Sequence, residues 1–429
     1  MPSDRTTVTE LGTGLGMLGL PDIDQAIGAR PAVMHSLSPE NWQHLALLRG
    51  GGAFDAEFHA AWENGRAFLS AVEGLRGRLP QIVEWKGTGR APGDEVAPID
   101  LRVDHVYLVS CKYLSAILFN VSPAHVFDSL LIGGQSRAAG RGAVAAARDV
   151  LAGGGSAGGD WYAEVAPTEY QALYDAVRAA AERGEGAVSA SARRAGVRGA
   201  AVATRSGRGG DAPVLPGLGA VQTEVEALVG GDEDAGVGVE ALWEAGRSNG
   251  SGGAVAALRE LPQRATELTS TQRDTLGRWL RPGWPPGAKE LYVSLSDAVA
   301  RASVRRWEAA LDRGGGTGEA MMWRLLRIGS APYFVLGSSA ERSLRLRIAT
   351  SWDWRQQFQL ASFALEPQRG GQARVGWHAV VRDRTSAETC EVTGHIEVRW
   401  SHGRFGGLPE AKGYLDTPHH LVPGYFALR

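Results

Sequence analysis

An acid, a hydroxyl and an amine recur at short spacing in two neighbouring apolar segments of the chain. Asp100 belongs to the segment PIDLRV, and Ser110 and Lys112 belong to YLVSCKY. Both segments are rich in Val, Ile, Leu and Tyr, which are typical of strands, and the DHV between them suits a turn. A three-residue turn places Asp100 opposite Ser110, and side-chain alternation then puts Lys112 on the same face. A two-residue turn would move Asp100 to the other face, so this convergence depends on the turn.

Such a group of residues can hydrolyse phosphate esters with the help of a hard cation. The Asp100 carboxylate and the Cys111 main-chain carbonyl are oxygen ligands that suit Mg²⁺ or Mn²⁺. Lys112 can orient an attacking water or stabilise charge that develops on a phosphate. The alternative is a structural hairpin in which Asp100 caps a turn and Lys112 reaches solvent. Lysine occurs only at positions 86, 112, 289 and 412, and this scarcity favours a purpose for Lys112 inside an apolar strand.

This hairpin resembles the core of the PD-(D/E)xK nuclease superfamily, in which an Asp begins one strand and a D/E-x-K tripeptide lies on the next. Pro98-Ile99-Asp100 is similar to the first part with one residue inserted, and Ser110-Cys111-Lys112 is similar to the second, with Ser replacing the acid. The V-S-C-K strand resembles the variant found in nucleases fused to CRISPR-associated sensor domains. The resemblance covers roughly residues 54–135. It implies a restriction-endonuclease-like αβββα core in which Asp100 binds the metal ion, Lys112 activates water, and Ser110 holds Asp100 or a water.

The resemblance also implies that another acid completes the metal site. In the family this acid often lies on the helix before the strands, where Glu63 is the first choice because it sits mid-helix beside Trp62. Glu84 is a further candidate ligand, since it belongs to a second E-x-K tripeptide that precedes Asp100. Lys86 of that tripeptide is expected at the surface. A solvated position for the helix acids remains the alternative.

Local signals give an order of elements that agrees with this core. Ser38-Pro39-Glu40 predicts the start of one helix, and apolar residues at helical spacing predict a second helix from Phe54 to Val72. Three strand segments follow, and a helix is expected from Ser122 to Leu131. Residues 1–35 contain many glycines and prolines and are expected to be irregular.

Composition divides the chain into four parts within a fold that we expect to be mixed α+β or α/β. These are a nuclease-like core over 1–135, an Ala/Gly/Arg-rich helical and linker region over 136–260, a helical region over 261–320, and an antiparallel β-rich region over 321–429. Alternating apolar residues predict five strands between Tyr333 and Trp400. We expect residues 330–429 to form a separable module that binds substrate. Candidate contacts to phosphates are Arg193, Arg194, Arg198, Arg399 and Arg404.

Charge and composition exclude several classes of function. The net charge of −2 excludes an overall basic protein, so any nucleic-acid surface must be local. Two distant cysteines form no disulfide framework, and we find neither a signal-peptide pattern nor an apolar run that could span a membrane. A cytoplasmic protein is therefore expected. The sequence contains no P-loop, no H-E-x-x-H and no nucleophile elbow.

Two functions follow from these patterns. The first is a nuclease that acts on DNA or RNA with Mg²⁺ or Mn²⁺, in restriction or anti-phage defence. The second is a non-catalytic binding or scaffold protein with a degenerate nuclease-like fold, which the missing acid at Ser110 favours. A homo-oligomer is compatible with either function.

Overall fold

The computed structural model describes residues 3–87, 99–113, 117–127, 160–183, 260–314, 317–338, 343–401 and 403–429. Within these ranges the chain forms ten α-helices, a mixed seven-stranded sheet and an antiparallel five-stranded sheet. The expected mixed α/β class with an antiparallel, β-rich C-terminal region is thus confirmed. No helix among the described residues is long and apolar enough to cross a membrane. Of the predicted middle region, residues 160–183 and residue 260 are described; Arg193, Arg194 and Arg198 lie outside the described residues.

Four helices precede most of the first sheet. They are α1 (Asp4–Gly16), α2 (Ile23–Ala29), α3 (Pro39–Gly50) and α4 (Asp55–Ser70). The predicted start of α3 is confirmed, because the Ser38 hydroxyl accepts from the Asn41 N–H and the Asn41 side chain accepts from the Ser38 N–H. The second predicted helix corresponds to α4. The expectation of an irregular segment over residues 1–35 is wrong, since α1 and α2 occupy much of it.

Glycines bring the backbones of α1 and α4 together, which explains why the glycines of α1 do not form a loop. A Cβ atom at Gly65 would lie 2.1 Å from the Thr13 carbonyl oxygen, and one at Gly16 would lie 2.3 Å from that of Trp62. No side chain fits at either position. This close packing buries α1 from Thr7 to Gly16, including the carboxylate-bearing Glu10.

The seven-stranded sheet combines strands from both ends of the chain. Its order is β1 (Met34–His35), β2 (Val83–Trp85), β3 (Leu101–Val103), β4 (Tyr107–Tyr113), β6 (Tyr333–Ser338), β7 (Ser343–Ile348) and β12 (Tyr425–Ala427). Strands β2, β3 and β4 are antiparallel neighbours, whereas β6 runs parallel to β4. One face of this sheet packs apolar side chains against those of α1 and α4. Burial of each large apolar side chain contributes about 1.5–3 kcal/mol.

The turn between β3 and β4 contains three residues. Leu101 pairs with Val109 and Val103 pairs with Tyr107, which leaves Asp104, His105 and Val106 in the turn. Asp104 and His105 both have positive φ angles, at 49° and 57°. The Asp104 carboxylate accepts hydrogen bonds from two main-chain N–H groups, those of Gln81 and Ile82, and so stabilises this conformation.

In the five-stranded sheet, the described strand pairs are antiparallel. Its order is β5 (Ile117–Val121), β11 (Pro409–Leu415), β10 (Thr389–Trp400), β9 (Ala373–Asp383) and β8 (Phe358–Gln368). The five predicted strands between Tyr333 and Trp400 are confirmed as β6 to β10. The other helices are α5 (Trp161–Val165), α6 (Pro167–Glu182), α7 (Ser270–Trp279), α8 (Ala288–Gly314), α9 (Gly318–Leu326) and α10 (Ser351–Gln357). The helix expected from Ser122 is described only as a 3-10 turn over Pro123–His125, because residues 128–131 lie outside the described ranges.

Both sheets cross the boundary that composition suggested at residues 320 and 321. Strands β6, β7 and β12 lie beyond that boundary but complete the sheet of β1 to β4, and β5 lies before it but joins the C-terminal sheet. Residues 330–429 are rich in strands, yet they are not a separate module, because removing them would remove three strands from the N-terminal sheet. The chain forms two compact units, one within Met1–Ala166, Val293–Arg399 and Pro409–Arg429, the other within Pro167–Tyr292 and Trp400–Leu408.

The contact between α1 and α4 predicts opposite effects for two Gly→Ala substitutions. Gly65→Ala should lower the free energy of unfolding by about 3 kcal/mol, because the new methyl group overlaps the backbone of α1. Gly28→Ala in α2 has no atom within 4 Å of the new Cβ and should raise it by roughly 0.5–1 kcal/mol. Urea unfolding of both variants measures the difference. Equal stability of the two variants would show that α1 and α4 are not in backbone contact.

Candidate active site

Asp100 lies where the main-chain pairing of β3 and β4 ends. Its N–H still donates to the Val109 carbonyl at 3.0 Å. Beyond that point the Asp100 carboxylate replaces the backbone, since Oδ2 accepts from the Cys111 N–H at 2.6 Å and from the Ser110 hydroxyl at 3.1 Å. The predicted pairing of Asp100 with Ser110 is thus confirmed. Both bonds end on Oδ2, and none of the described residues donates to Oδ1, which is therefore available to another partner.

Lys112 lies on the same face of β4 as Ser110 and is half-buried. Its amine has no carboxylate within 4.0 Å among the described residues, so its charge is available to a substrate. In β6 the residue paired with Lys112 is Gly337. A Cβ at that position would lie 3.0 Å from the Lys112 Cβ, so the glycine permits β6 to approach and support Lys112 closely.

Glu10 of α1 is the acid that the sequence analysis missed. It is 7% exposed, and its Oε2 accepts from the Trp85 indole N–H at 2.6 Å. Burial, and then the nearby charge of Asp100, raise the pKa of Glu10 to about 8, while the Trp85 hydrogen bond and the Lys112 charge act in the opposite direction. Glu10, Asp100 and Lys112 are therefore electrostatic neighbours. Thr13, further along α1, donates its hydroxyl hydrogen to the Thr9 carbonyl at 2.7 Å. Burial, and then the charges of Asp100 and Glu10, raise the pKa of the Cys111 thiol of β4, while Thr13 acts in the opposite direction.

The structure does not bring Glu63 to Asp100. The buried face of α4 contains Phe58, Ala61 and Phe68, and Glu63 lies about 200° around the helix from Ala61. Glu63 is half-buried on the outer side of α4, where Arg66 is exposed. The described helix acid on which the charge of Asp100 acts is thus Glu10 of α1, not Glu63 of α4.

Glu84 and Lys86 form an ion pair beside Asp100. The Lys86 amine is 3.1 Å from Glu84 Oε1, and a guanidinium nitrogen of Arg102 is 3.7 Å from Glu84 Oε2. The expectation of a surface position for Lys86 is wrong, because its side chain is 5% exposed. Its N–H donates to the Asp100 carbonyl at 3.0 Å, so Lys86 extends the row of Asp100 and Ser110 across the sheet. Two cationic partners make Glu84 a weaker candidate metal ligand than Glu10.

The other candidate residues have partners within the protein. An Arg399 nitrogen is 3.8 Å from Glu397, and Arg404 donates to the Leu280 carbonyl while its guanidinium lies 5.1 Å from the centre of the Trp284 ring. A role for these arginines in binding phosphates stays a prediction. The Cys111 N–H donates to the Asp100 carboxylate. The predicted role of the Cys111 carbonyl oxygen as a metal ligand also stays a prediction.

The chemistry of Asp100 and Glu10 fits a divalent cation. The charge of Asp100 raises the pKa of the buried Glu10 carboxyl, and none of the described residues donates a hydrogen bond to Asp100 Oδ1. The described residues contain no group of three or more His, Cys, Asp or Glu side chains placed to hold a metal ion. Two carboxylates are nevertheless the usual protein contribution for Mg²⁺, with solvent and phosphate oxygens completing the coordination.

Comparison with known proteins finds no significant match to this chain. No family model matches the chain, and neither a curated protein sequence nor a solved structure matches it significantly. The geometry of the site and the resemblance of its hairpin are thus the basis for any function.

Buried Glu10 predicts that the metal-free protein loses stability as the pH rises. Its pKa in the folded protein, about 8, lies above the ordinary value of 4.5. Its contribution to stability is therefore complete below pH 4.5 and is lost as the pH rises through 8. Between pH 5 and 9 the wild type should lose a few kcal/mol relative to Glu10→Gln, at about 1.4 kcal/mol per unit of pKa shift.

Thermal melts in EDTA across this pH range test the prediction. Glu63→Gln is the matched control and should follow the wild type, because Glu63 is only half-buried and lies outside the site. An identical pH dependence of the wild type and Glu10→Gln would mean that Glu10 is not buried as described.

Proposed function

We propose that this protein is a metal-dependent nuclease that hydrolyses phosphodiester bonds of DNA or RNA. The observation that supports this most strongly is the Asp100 carboxylate held by the Ser110 hydroxyl and the Cys111 N–H beyond the end of β3, with Lys112 on the same face of β4 as Ser110 and the charge of Asp100 acting on buried Glu10. The order α4-β2-β3-β4 also agrees with the αβββ part of the core that the hairpin resembles. A role in restriction or anti-phage defence is proposed from that resemblance alone.

Each residue of the site has a separate role in phosphodiester hydrolysis. Asp100 Oδ1 and the Glu10 carboxylate would hold Mg²⁺ or Mn²⁺, which when bound acidifies water and neutralises phosphate charge. The hydrogen bonds to Asp100 Oδ2 fix the direction in which Oδ1 is presented. The Lys112 amine orients the attacking water or stabilises the charge that develops on the phosphate oxygens.

Ser110 has a different role from the acid that it replaces. Its hydroxyl donates to Asp100 and adds no charge; a second negative charge would come from Glu10, which would lose its proton on binding the cation. In this proposal Glu10 takes the place of the acid that the S-x-K tripeptide lacks.

The second candidate is a non-catalytic binding or scaffold protein, and the absence of an acid at Ser110 is the observation that favours it. Against it stands the raised pKa of buried Glu10, because strongly shifted acids cluster at functional sites. The two candidates differ in whether the protein cuts nucleic acid.

Replacing Lys112 should separate these candidates. Lys112→Ala should reduce cleavage at least a hundredfold, since loss of one preorganised charge at such a site costs on that order. The melting temperature should change little, because a half-buried lysine contributes little to stability. The measurement is cleavage of plasmid, single-stranded DNA and RNA with Mg²⁺, Mn²⁺ or EDTA. The exposed Lys289, replaced by Ala, is the control and should cut like the wild type.

Replacing the two acids tests the metal site directly. Asp100→Asn and Glu10→Gln should both lose cleavage and weaken Mn²⁺ binding in calorimetry, whereas Glu63→Gln should alter neither. A wild-type protein that cuts none of the three substrates with either metal would leave the binding protein as the better candidate. Full activity of Glu10→Gln would show that Glu10 of α1 is not part of the active site.

A further inference from the structure

Strand β8 forms one edge of the five-stranded sheet. Among the described residues it pairs with β9 alone. Its eleven residues, FQLASFALEPQ, include a single charged side chain, that of Glu366. Proteins usually protect edge strands with lysines, prolines or β-bulges, because an open edge pairs with other chains. Since β8 contains no lysine, its proline and its bulge determine which part of the edge stays open.

The bulge and the proline of β8 lie at opposite ends of one short segment. The pairing with β9 skips Ala361, which is the bulged residue. Pro367 stands at the other end, and residues 362–366 between them pair with β9 in regular register. This segment, SFALE, is the unprotected part of the edge. Its exposed side chains are those of Ser362, Ala364 and Glu366.

Hydrogen bonds of the neighbouring strands show how the main chain of this segment is oriented. The Thr393 N–H of β10 donates to the Thr417 hydroxyl, and the Thr393 carbonyl accepts from the Asp416 N–H. Both groups thus point toward the residues that follow β11, on the side away from β9. His378 of β9 pairs with Thr393, so its own N–H and C=O groups must face β8, where its partner is Ala364.

Phe363 and Leu365 therefore direct their N–H and C=O groups away from the sheet, because these directions alternate along a strand. Their side chains lie on the apolar face, where Leu365 is opposite the buried Trp377 of β9. Pro367 is two residues beyond Leu365, so its missing N–H would also point outward and the pairing with β9 is unaffected. The open edge thus has main-chain donors and acceptors at two residues that flank Ala364.

We propose that two copies of this chain pair through β8, antiparallel about a two-fold axis at Ala364. In this register Ala364 lies opposite Ala364 of the partner subunit, and Phe363 lies opposite Leu365 of the partner subunit. The outward N–H and C=O groups of the two strands then bond to each other, and apolar side chains meet apolar ones. The pairing joins the two five-stranded sheets into one.

The ends of the segment fit the same register, which identifies a second copy as the partner. The Glu366 carboxylate lies opposite the Ser362 hydroxyl of the partner subunit, so no like charges meet. Pro367, which cannot donate, lies opposite the bulged Ala361 of the partner subunit, which is outside the ladder of β8 and β9. The segment is thus its own complement in charge and in the position of its two interruptions. The inference goes beyond the proposed function, because it involves no residue of the candidate active site.

A charge at position 364 tests the axis, because there it meets its own copy. Ala364→Lys and Ala364→Glu should each raise the dissociation constant of the dimer at least about tenfold, since like charges are then directly opposed. An equimolar mixture of the two variants should associate as tightly as the wild type, because opposite charges then meet. Sedimentation equilibrium of the full chain measures each constant, and thermal melts confirm that the variants are folded.

Ala387→Lys is the matched control. Ala387 is an exposed alanine between β9 and β10, so the same charge is added away from β8. This variant should associate like the wild type. Weakening by Ala387→Lys equal to that by Ala364→Lys would overturn the proposal, because added charge alone would then explain the effect.

The other results are equally decisive. Self-association that Ala364→Lys leaves unchanged would overturn the pairing, since another surface would then carry it. A mixture of Ala364→Lys and Ala364→Glu that stays monomeric would overturn the axis at Ala364. A monomeric wild type would overturn the proposal, and slow hydrogen exchange at Phe363 and Leu365 in that monomer would show that another segment of the chain covers the edge. A dimer that cuts no nucleic acid would overturn only the proposed function.

Discussion

The bond from the Cys111 N–H to the Asp100 carboxylate is the interaction on which the site depends. A carboxylate occupies the place of a main-chain acceptor, so β3 can end while the N–H of β4 stays satisfied. Because β4 continues to pair with β6 on its other side, Lys112 remains on a paired strand beyond the end of β3. The opening thus places an acid at the end of one strand and an amine on the next.

Charge around this opening is balanced over several elements. The acids Glu10, Asp100 and Glu84 and the lysines Lys86 and Lys112 come from α1, β2, β3 and β4 or the residues next to them. Glu84 and Lys86 neutralise each other at 3.1 Å, whereas Glu10 and Asp100 have no cation of their own at that distance among the described residues. Burial and the charge of Asp100 keep Glu10 protonated near neutral pH, and strongly shifted pKa values of this kind cluster at functional sites.

The sequence predicted the local parts of this arrangement and missed those that depend on packing. The turn residues set the register of Asp100 and Ser110, and the alternating pattern identified β6 to β10, because both are determined by neighbouring residues. Glu10 was missed because the glycines of α1 indicate a loop until the backbone of α4 is known to lie against them. Glu63 was chosen for its neighbour Trp62, although its angle around α4 places it on the outer side. The part that β6 plays could not be predicted, since no local signal identifies the strand that will pair with β4.

The parallel pairing of β4 and β6 has a consequence for the order in which the protein is made. The β3–β4 hairpin is synthesised well before β6, so a hairpin that forms at once would have β4 as an open edge during that interval. An open apolar edge invites association with other chains. Lys112, set between Cys111 and Tyr113, places a charge on that edge and opposes such pairing while synthesis continues. Lys112, to which we assign a catalytic role in the folded protein, can therefore also oppose aggregation of the nascent chain. Natural selection could act on it through either role.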